Sequence, residues 1–437
     1  MISRSRPFQR MDIPFSGGVL VAHPGTQHSY ELAFALHQAR LLERYVTGFY
    51  YKEDTAWGRA MRISSRAIPP AARRRLLGRS KMGLPSHRVI VRPSAELLYA
   101  GSCRLPWLRR YASRVLEWRN DHFDEFAGRI VRQIEPAAVI CYNSCALKTF
   151  QQAQSFGALR ILDQSIGHLS SGLDLLREEA ERWPEFAEDE RIDAPQRLIE
   201  RCEQETSLAD IILAGSEYVK TTLVAHGVPP SRIRVVPYGV DVARFVAPPA
   251  QKRTRRGLRL LFVGQIGIRK GIRYLLEAVR RLKSRGVELT LVGAPAGSGR
   301  GLDRYRDYFR HIPHVPHGEI HRLFRDADAF VFPSLHEGSA LATYEALACG
   351  LPVITTPNSG SIVRDGVDGF IVPVRDANAL EEKISLLLGS DALREHMSEN
   401  ARRRAEEFSW SAYHTRIAQL FHEELGFASA SCVAAAS

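Results

Sequence analysis

The chain has 437 residues, of which 45% are hydrophobic and 25% are charged, and its formal net charge is +12. These values are ordinary for a soluble globular protein that is long enough for two domains with complete cores. No run approaches the roughly 18 apolar residues of a membrane span, and no apolar stretch follows the basic N-terminus, so we expect neither a spanning helix nor a secretory signal. The six cysteines form no Cys-x-x-Cys pair, so we expect reduced thiols in a cytoplasmic protein. A peripheral location on the inner face of the cell membrane is left open.

Short β-branched runs alternate with helical segments, which favours a parallel α/β architecture. In the first half, strands are predicted at 19–22, 138–142, 160–163 and 211–214. A glycine turn that contains Gly25 follows the first of them, and a helix is expected from about Ser29. Residues 52–104 interrupt the alternation and are predicted to be an inserted helical or loop region.

One basic segment carries the whole charge excess. Between Arg59 and Arg119, fifteen Lys or Arg residues stand against only Glu96 and Glu117, with tryptophans and tyrosines among them. Such a mixture can contact an anionic membrane surface, can be a plain solvated surface, or can bind nucleic acid. No nucleic-acid-binding motif accompanies it, so we expect no nucleic acid and leave the first two alternatives open for residues 59–119.

The second half repeats the alternation after two prolines and a basic run at 246–253, which are expected to link two domains. Strands are predicted at 258–263, 288–292, 329–332, 353–355 and 370–372, with helices near 272–284, 319–326, 340–349 and 376–388 and a last helix from about Ser409. The predicted fold is therefore α/β, with two Rossmann-like doubly wound domains facing a central cleft and a C-terminal helix that crosses back to the N-terminal domain. The expected parts are an acceptor-binding domain at 1–247 with a basic insert at about 52–119, a donor-binding domain at 248–408, a crossing helix at 409–426 and a disordered tail at 427–437.

Two carboxylates mark the most informative stretch. Glu337 is expected in the loop after the buried strand at 329–332, and Glu345 lies eight positions later in the following helix. In open parallel sheets, ligands bind beyond the carboxyl ends of the strands, where loop amides face outward. Paired acids and amide donors at such a place suit a ligand with many hydroxyls and one anion, such as a sugar nucleotide.

A glycine turn follows the first strand of the second half. Gly264 and Gly267 allow backbone amides to approach an anion, and Arg269 and Lys270 can neutralise a diphosphate there. The turn has neither the Gly-Lys-Ser/Thr of a Walker loop nor the Gly-x-Gly-x-x-Gly pattern. Its position on the same sheet edge as Glu337 strengthens the prediction of phosphate binding.

Asp326-Ala327-Asp328 superficially matches the metal-binding Asp-x-Asp of another transferase fold. It immediately precedes a buried strand, so we expect a role at a helix end or turn. No required metal and no cofactor are predicted.

Several ordered motifs share a pattern across about 200 residues. They are Ser216–Lys220, Val235–Asp241, Arg269–Gly271, Glu337 with Glu345, Ala348–Val353 and Asp365–Phe370. Together they resemble the donor domain of retaining glycosyltransferases of family 4, the glycosyl transferases group 1 family, which have a two-domain GT-B type fold. The resemblance covers residues 210–410 well and the first half poorly.

The resemblance implies roles for particular residues. Glu337 is expected by the donor sugar, Glu345 at the ribose hydroxyls, and Arg269 with Lys270 at the donor diphosphate. The amides expected to approach the pyrophosphate or hexose are those of Gly338, Ser339, Ala340 and Leu341. Many members have Arg directly after the glycine that ends the first donor-domain strand, whereas this chain has Gln265, so Arg269 is assigned that role.

Fewer residues can be proposed for binding the acceptor than for binding the donor. His28, Asp163 and His168 are candidates to contact the donor sugar or the acceptor, while His336 adjoins the first Glu and can simply shape its loop. A dedicated base is not required if attack is on the same face and the leaving phosphate takes the proton.

The function predicted on this basis is transfer of a hexose from a nucleoside diphosphate sugar to an acceptor hydroxyl with retention, in cell-surface polysaccharide or glycolipid synthesis. The acceptor can be a glycan, a lipid-linked group or a small molecule. Two alternatives are a sugar-nucleotide epimerase or hydrolase on the same fold, and a non-catalytic peripheral membrane protein.

Overall fold

The computed structural model describes residues 17–26, 28–65, 73, 76–104, 108, 111–246, 257–316 and 318–427. The predicted linker at 246–253 and the predicted tail at 427–437 lie outside these ranges except for their single residues Val246 and Phe427. The helices of the described residues are α1 Ser29–Gln38, α2 Ala56–Ser64, α3 Pro93–Arg104, α4 Ala112–Ile134, α5 Leu147–Gln154, α6 Leu169–Arg182, α7 Pro184–Ala187, α8 Gln196–Leu208, α9 Glu217–Ala225, α10 Ile272–Leu282, α11 Ile320–Asp326, α12 Leu341–Ala348, α13 Ala377–Gly389, α14 Asp391–Glu407 and α15 Trp410–Gln419.

The first sheet has seven strands within the described residues. They are β1 Val19–His23, β2 Leu42–Thr47, β3 Val89–Val91, β4 Ala138–Tyr142, β5 Leu159–Gln164, β6 Ile211–Ala214 and β7 Ile233–Val235. Their order is β3-β2-β1-β4-β5-β6-β7, and β1 pairs in parallel with both β2 and β4. All five residues of β1 are buried, which explains its continuous apolar run, because a central parallel strand is covered on both faces.

The second sheet has six strands within the described residues. They are β8 Leu258–Val263, β9 Val287–Val292, β10 Phe309–Ile312, β11 Ala329–Phe332, β12 Val353–Thr355 and β13 Gly369–Ile371. Their order is β10-β9-β8-β11-β12-β13, and every neighbouring pair is parallel. Both sheets thus have the doubly wound order, in which the chain first winds one way from the initial strand and then the other. This confirms the predicted fold class of two Rossmann-like sheets.

The chain divides into two compact units. The first comprises the described residues up to Asp163, Ser207–Ile211 and the described residues from His414; the second comprises Gln164–Thr206 and Ile212–Tyr413. Within the first unit, His414 of α15 contacts Glu31 of α1 at 2.9 Å, so the last helix returns to the N-terminal part of the chain as predicted. The domain boundary expected at 247/248 stays a prediction.

One Asp–Arg arrangement recurs in the two sheets. Asp328, one residue before β11, accepts hydrogen bonds from the backbone N–H (2.8 Å) and the guanidinium (2.9 Å) of Arg259 in β8. Asp210, one residue before β6, binds Arg160 of β5 in the same way, at 2.9 and 2.7 Å. Asp328 therefore fixes the start of a strand, in agreement with the structural role expected for Asp326-Ala327-Asp328.

The prediction that residues 52–104 are only helix or loop is wrong at one point. Val89–Val91 forms β3, which pairs in parallel with β2 from Tyr45 to Thr47. A three-residue edge strand carries too short a pattern to be recognised among arginines.

Of the helices in the described ranges, none combines the length and the hydropathy that crossing a bilayer requires.

Candidate functional site

The strand order of the second sheet reverses between β8 and β11, which lie side by side. The loop after β8 is residues 264–271, and the loop after β11 is residues 333–340. A crevice at such a reversal is where open α/β sheets bind ligands. These two loops contain the predicted cationic turn and the first predicted carboxylate.

Short backbone contacts hold the two loops together. Ile268–Lys270 forms a single 3-10 turn, and Gly271 ends it with φ of +65°. A Cβ at Gly271 would lie 2.1 Å from the carbonyl oxygen of Pro333, so only glycine permits this approach. The amide of Leu335 donates to the carbonyl oxygen of Arg269 at 2.9 Å. The position of the cationic turn is thus fixed relative to the loop after β11.

Arg269, Lys270 and Glu337 form one ionic cluster. The Glu337 carboxylate accepts hydrogen bonds from the Arg269 guanidinium and from the Lys270 ammonium. Arg269 also donates to the carbonyl oxygen of His336 at 2.9 Å, and the Lys270 ammonium lies 4.6 Å from the ring centre of Phe332. Two cations share one carboxylate, so the cluster carries a net positive charge that can attract an anion.

Burial and charge shift the ionisation of this cluster. Burial lowers the pKa of Lys270 to about 8, with the Arg269 charge acting in the same direction and Glu337 opposing it. Burial alone would raise the pKa of Glu337, but the charges and hydrogen bonds of Lys270 and Arg269 outweigh it, and the pKa falls below its usual value. At pH 7 Lys270 is therefore mostly protonated and Glu337 is ionised.

Glu345 lies in the second turn of α12, four residues after Leu341. Residues four apart share a helix face, and the face that carries these two is the least buried part of α12. Burial raises the pKa of Glu345 to about 7, against the opposing charge of Arg244. A carboxyl group near half ionisation at neutral pH can accept hydrogen bonds from ligand hydroxyls once it is deprotonated.

The segment Gly338–Leu341 is held by neighbours on several sides. The Gly338 carbonyl oxygen accepts from the Ser216 hydroxyl at 2.5 Å, and the Ser339 hydroxyl lies 2.7 Å from that of Tyr344. The amide of Ala340 donates to the carbonyl oxygen of Ser359 at 3.1 Å. That amide is therefore already engaged in this structure, although a role for it in donor binding was predicted.

Residues of two other segments contact the Glu337 loop. Gly167, between β5 and α6, donates its amide to the Glu337 carbonyl oxygen at 3.0 Å. The Tyr218 hydroxyl lies 2.7 Å from Nδ1 of His336. The Ser216–Lys220 motif suggests no role by itself, whereas in the structure Ser216 and Tyr218 hold the loop that carries Glu337.

His168 begins α6 and belongs to the same unit as Glu337. Its ring stacks on His226, with 3.8 Å between ring centres, and its buried Nδ1 has no partner among the described residues. Burial, with the nearby His226 and His336, lowers the pKa of His168 to about 4. It is therefore neutral at physiological pH and can form a hydrogen bond with a ligand without carrying charge.

Asp163, His28 and Gly25 belong to the first unit. The Asp163 carboxylate and Nε2 of His28 are joined by a hydrogen bond of 2.8 Å, and both side chains are about 95% buried or more. A Cβ at Gly25 would come within 3.0 Å of the His23 ring. Two candidates that the sequence suggested separately are thus one buried pair.

The structural reason for a glycine differs between positions 264 and 267. Gly264 has φ of +153°, which disfavours other residues, whereas Gly267 has an extended φ of −167° that any residue can adopt. A Cβ at Gly267 would lie 2.6 Å from the Glu190 carboxylate. In this structure, the space at Gly267 is used by an acidic side chain.

Within the described residues, no group of three or more His, Cys, Asp or Glu side chains is arranged to hold a metal ion.

Comparison with known families agrees with this geometry. The family described as "Glycosyl transferases group 1" matches residues 249–404, which contain the cationic turn and both carboxylates, and "Glycosyltransferase Family 4" matches residues 182–244. The matched region, residues 249–404, belongs to the glycosyl transferases group 1 family. The resemblance seen in the sequence motifs is thereby confirmed.

The sequences of named relatives align with about half to three quarters of this chain. A D-inositol 3-phosphate glycosyltransferase of Salinispora arenicola is 31% identical over 253 residues, which cover 51% of this chain and 56% of the relative. The chain spans about half the length of the first curated relatives it matches. A putative colanic acid biosynthesis glycosyltransferase, WcaL of Salmonella typhimurium, is 27% identical and covers 75% of this chain and 82% of the relative.

A solved structure of another protein has the same fold as this chain. The HepE protein of Anabaena, in complex with UDP and glucose, superposes with a TM-score of 0.59 over 93% of this chain and all of its own. Its sequence is only 13% identical, so the similarity concerns the fold.

Proposed function

We propose that the protein is a retaining glycosyltransferase that moves a hexose from a nucleoside diphosphate sugar to an acceptor hydroxyl. The observation that carries the proposal is the shared ionic cluster of Arg269, Lys270 and Glu337 where the strand order reverses. The family match over residues 249–404 supports it.

The chemistry follows from the charge of the leaving group. Breaking a glycosyl–phosphate bond leaves a nucleoside diphosphate and an oxocarbenium-like sugar, and preorganised cations stabilise the phosphate charge as it develops. Arg269 is held at 2.9 Å by the His336 carbonyl oxygen and Lys270 is held by Glu337, so both cations are already at this loop before a donor binds. We propose that these side chains perform this task without a required metal.

Donor binding would exchange partners within the cluster. The diphosphate competes with Glu337 for Arg269 and Lys270, and the released Glu337 carboxylate can then accept hydrogen bonds from sugar hydroxyls. Glu345, on the accessible face of α12, is proposed to bind the ribose hydroxyls in its ionised form. Gly338, Ser339 and Leu341 remain proposed contacts of the pyrophosphate or hexose.

The acceptor hydroxyl loses a proton as it attacks. In same-face substitution the leaving phosphate takes this proton, so no side chain is required as a base. His168, neutral at physiological pH, is proposed to contact the donor sugar or the acceptor. The buried Asp163–His28 pair is proposed to organise its own unit.

Two assays test the function. A thermal-shift screen of uridine, guanosine and adenosine diphosphate sugars should find one donor that stabilises the protein, because a ligand that binds only the folded state raises its stability. Product analysis by NMR should then show a new glycosidic bond with the anomeric configuration of the donor. An altered nucleotide sugar formed without an acceptor would instead show an epimerase or hydrolase, and binding without turnover on any acceptor would show a non-catalytic protein.

The relatives support particular substrates. The Salinispora relative is named for D-inositol 3-phosphate, WcaL is named for colanic acid biosynthesis, and HepE was solved with UDP and glucose. We propose a uridine diphosphate hexose as the first donor to test, and an acceptor from cell-surface polysaccharide or glycolipid synthesis.

We further propose that the basic segment contacts an anionic membrane surface from the cytoplasmic side. Exposed apolar side chains concentrate there, namely Ile63, Met82, Leu97, Leu98, Tyr111 and Trp118. Some of its charge is used internally, because Arg79 and Arg119 both bind Glu96 at 2.9 Å. In a vesicle-flotation assay, binding should require anionic lipid and weaken with salt; binding indifferent to both would contradict the electrostatic part of this proposal.

A further inference from the structure

A short acidic segment directly after α7, residues 188–190, lies on the loops that follow β8 and β9. The amide of Ser298 donates to the Glu188 carbonyl oxygen at 2.9 Å, and the Glu188 carboxylate binds the Ser298 hydroxyl and the Arg300 guanidinium at 2.8 and 2.5 Å. A Cβ at Gly297 would lie 2.1 Å from the Glu188 carbonyl oxygen. The backbone of residues 188–190 is therefore packed directly against the loop after β9.

The segment has a strained backbone at its centre. Asp189 has φ of +60°, a conformation that costs a residue with a side chain free energy and persists where the surroundings enforce it. The consequence is that Glu190 is turned onto the cationic turn.

The Glu190 carboxylate binds the first amide of that turn. Its Oε2 accepts from the backbone N–H of Ile268 at 3.0 Å. A carboxylate is a strong acceptor for amides that a turn leaves without an internal partner. The glycine at 267 makes room for it, since a Cβ there would lie 2.6 and 2.8 Å from the two carboxylate oxygens and 2.6 Å from the Ala296 Cβ.

The turn is thus held at both ends. Glu190 binds its first N–H, while the Arg269 carbonyl oxygen accepts from the Leu335 amide at 2.9 Å and from the Ser334 hydroxyl at 3.2 Å. Arg269 and Lys270 project from between these two attachments. The backbone that carries the two cations of the ionic cluster is therefore attached to Glu190 at one end.

We propose that Glu190 is a positioning residue: it caps the Ile268–Lys270 turn and thereby aims Arg269 and Lys270 at the donor diphosphate. The capping rests on geometry alone, and its link to the diphosphate rests on the proposed function. Burial raises the pKa of Glu190, against the Ile268 hydrogen bond and the Arg269 charge, in keeping with an enclosed carboxyl group.

The test compares Glu190→Ala and Glu190→Gln with Glu188→Ala as the matched control from the same segment. The first measurement is hydrogen exchange of the peptide that covers residues 266–272. It should quicken about threefold to tenfold in Glu190→Ala, because a hydrogen bond of this kind contributes about 1 kcal/mol. It should stay close to wild type in Glu190→Gln, whose amide oxygen still accepts, and in Glu188→Ala.

The second measurement is the affinity for UDP, GDP and ADP beside that for the matching nucleosides. Glu190→Ala should weaken diphosphate binding about threefold to tenfold and leave nucleoside binding unchanged. Unchanged exchange in Glu190→Ala would overturn the capping. Tighter diphosphate binding in Glu190→Gln would show a competing anion instead of a positioning group, and equal losses for nucleoside and diphosphate would show a merely structural residue. If exchange changes as expected but even the wild type binds no nucleoside diphosphate, the capping stands, while the proposed function and the link to the diphosphate both fail.

Discussion

The loops at the carboxyl ends of the two sheets hold their polar side chains in different ways. In the first unit, His28 and Asp163 are almost fully buried and bind each other at 2.8 Å. In the second unit, Arg269 and Lys270 share Glu337, so one positive charge remains unbalanced, and Glu345 has a raised pKa on an accessible helix face. A closed pair stabilises the fold, whereas an incompletely balanced cluster is prepared for an anionic ligand.

This contrast separates residues that look alike in the sequence. Asp163 and Glu337 each follow or end a buried strand, and both were predicted as site residues. Their partners differ, because Asp163 pairs with the buried imidazole of His28, whereas Glu337 shares two cations that a phosphate can also bind. The prediction that both are site residues stays a prediction. Variants at the two places should therefore affect different properties.

The largest effect is expected from Lys270→Ala. Loss of one preorganised cation at a developing phosphate charge should reduce kcat by about 10²- to 10³-fold. Steady-state kinetics with the identified donor measures this, and circular dichroism checks the fold. Lys283→Ala, which removes an exposed lysine bound to the Asp307 carbonyl oxygen, should leave kcat unchanged; equal losses in both variants would remove the special role of the cluster.

A stability effect is expected from Asp163→Ala. Loss of this hydrogen bond to the buried His28 ring should lower the free energy of unfolding by about 1–3 kcal/mol, measured by urea denaturation. Diphosphate affinity should not change. As a control, Asp174→Ala removes an exposed aspartate that binds Arg177 and should cost less than about 0.5 kcal/mol. Full stability with lost turnover in Asp163→Ala would instead make Asp163 a catalytic residue.

Sequence patterns were sufficient for the long apolar strands and for the spacing of Glu337 and Glu345. They were insufficient for β2 and β10, whose residues Glu43, Arg44, Arg310 and His311 interrupt the apolar pattern. Strands such as these are specified by pairing with a neighbour and not by local composition.

The contacts around the site show the same limit. Glu337 was predicted to lie near Arg269 and Lys270 because the two loops that carry these residues follow strands of the same sheet. The contacts of Tyr218 with His336 and of Glu190 with Ile268 join residues 118 and 78 positions apart. No local pattern marks such partners, because they depend on how loops from separate elements pack.

A smaller effect is expected from Tyr218→Phe, which removes the hydroxyl that holds His336. One lost hydrogen bond should lower kcat by about 2- to 10-fold. Affinity for the free nucleoside diphosphate should stay constant, since Arg269 and Lys270 remain. Thr221→Val, which removes an exposed hydroxyl bound within α9, is the control. A parallel loss of diphosphate affinity would show that Tyr218 supports the whole site.

The smallest effect is the pH dependence of diphosphate affinity. Lys270, with its pKa lowered to about 8, loses its charge as the pH rises above that value, and Glu345, with its pKa raised to about 7, becomes neutral as the pH falls below it. Affinity measured by calorimetry should therefore be highest between about pH 7 and 8. Lys270→Arg should remove the decline on the alkaline side and Glu345→Gln the decline on the acid side; unchanged profiles would contradict these assignments.

The central claim is that the Arg269–Lys270 turn receives the donor diphosphate. A crystal structure with the bound nucleoside diphosphate tests it directly. We expect phosphate oxygens within hydrogen-bonding distance of the Lys270 ammonium and the Arg269 guanidinium, and ribose hydroxyls at Glu345. A diphosphate bound elsewhere, with Glu337 still paired to both cations, would contradict it.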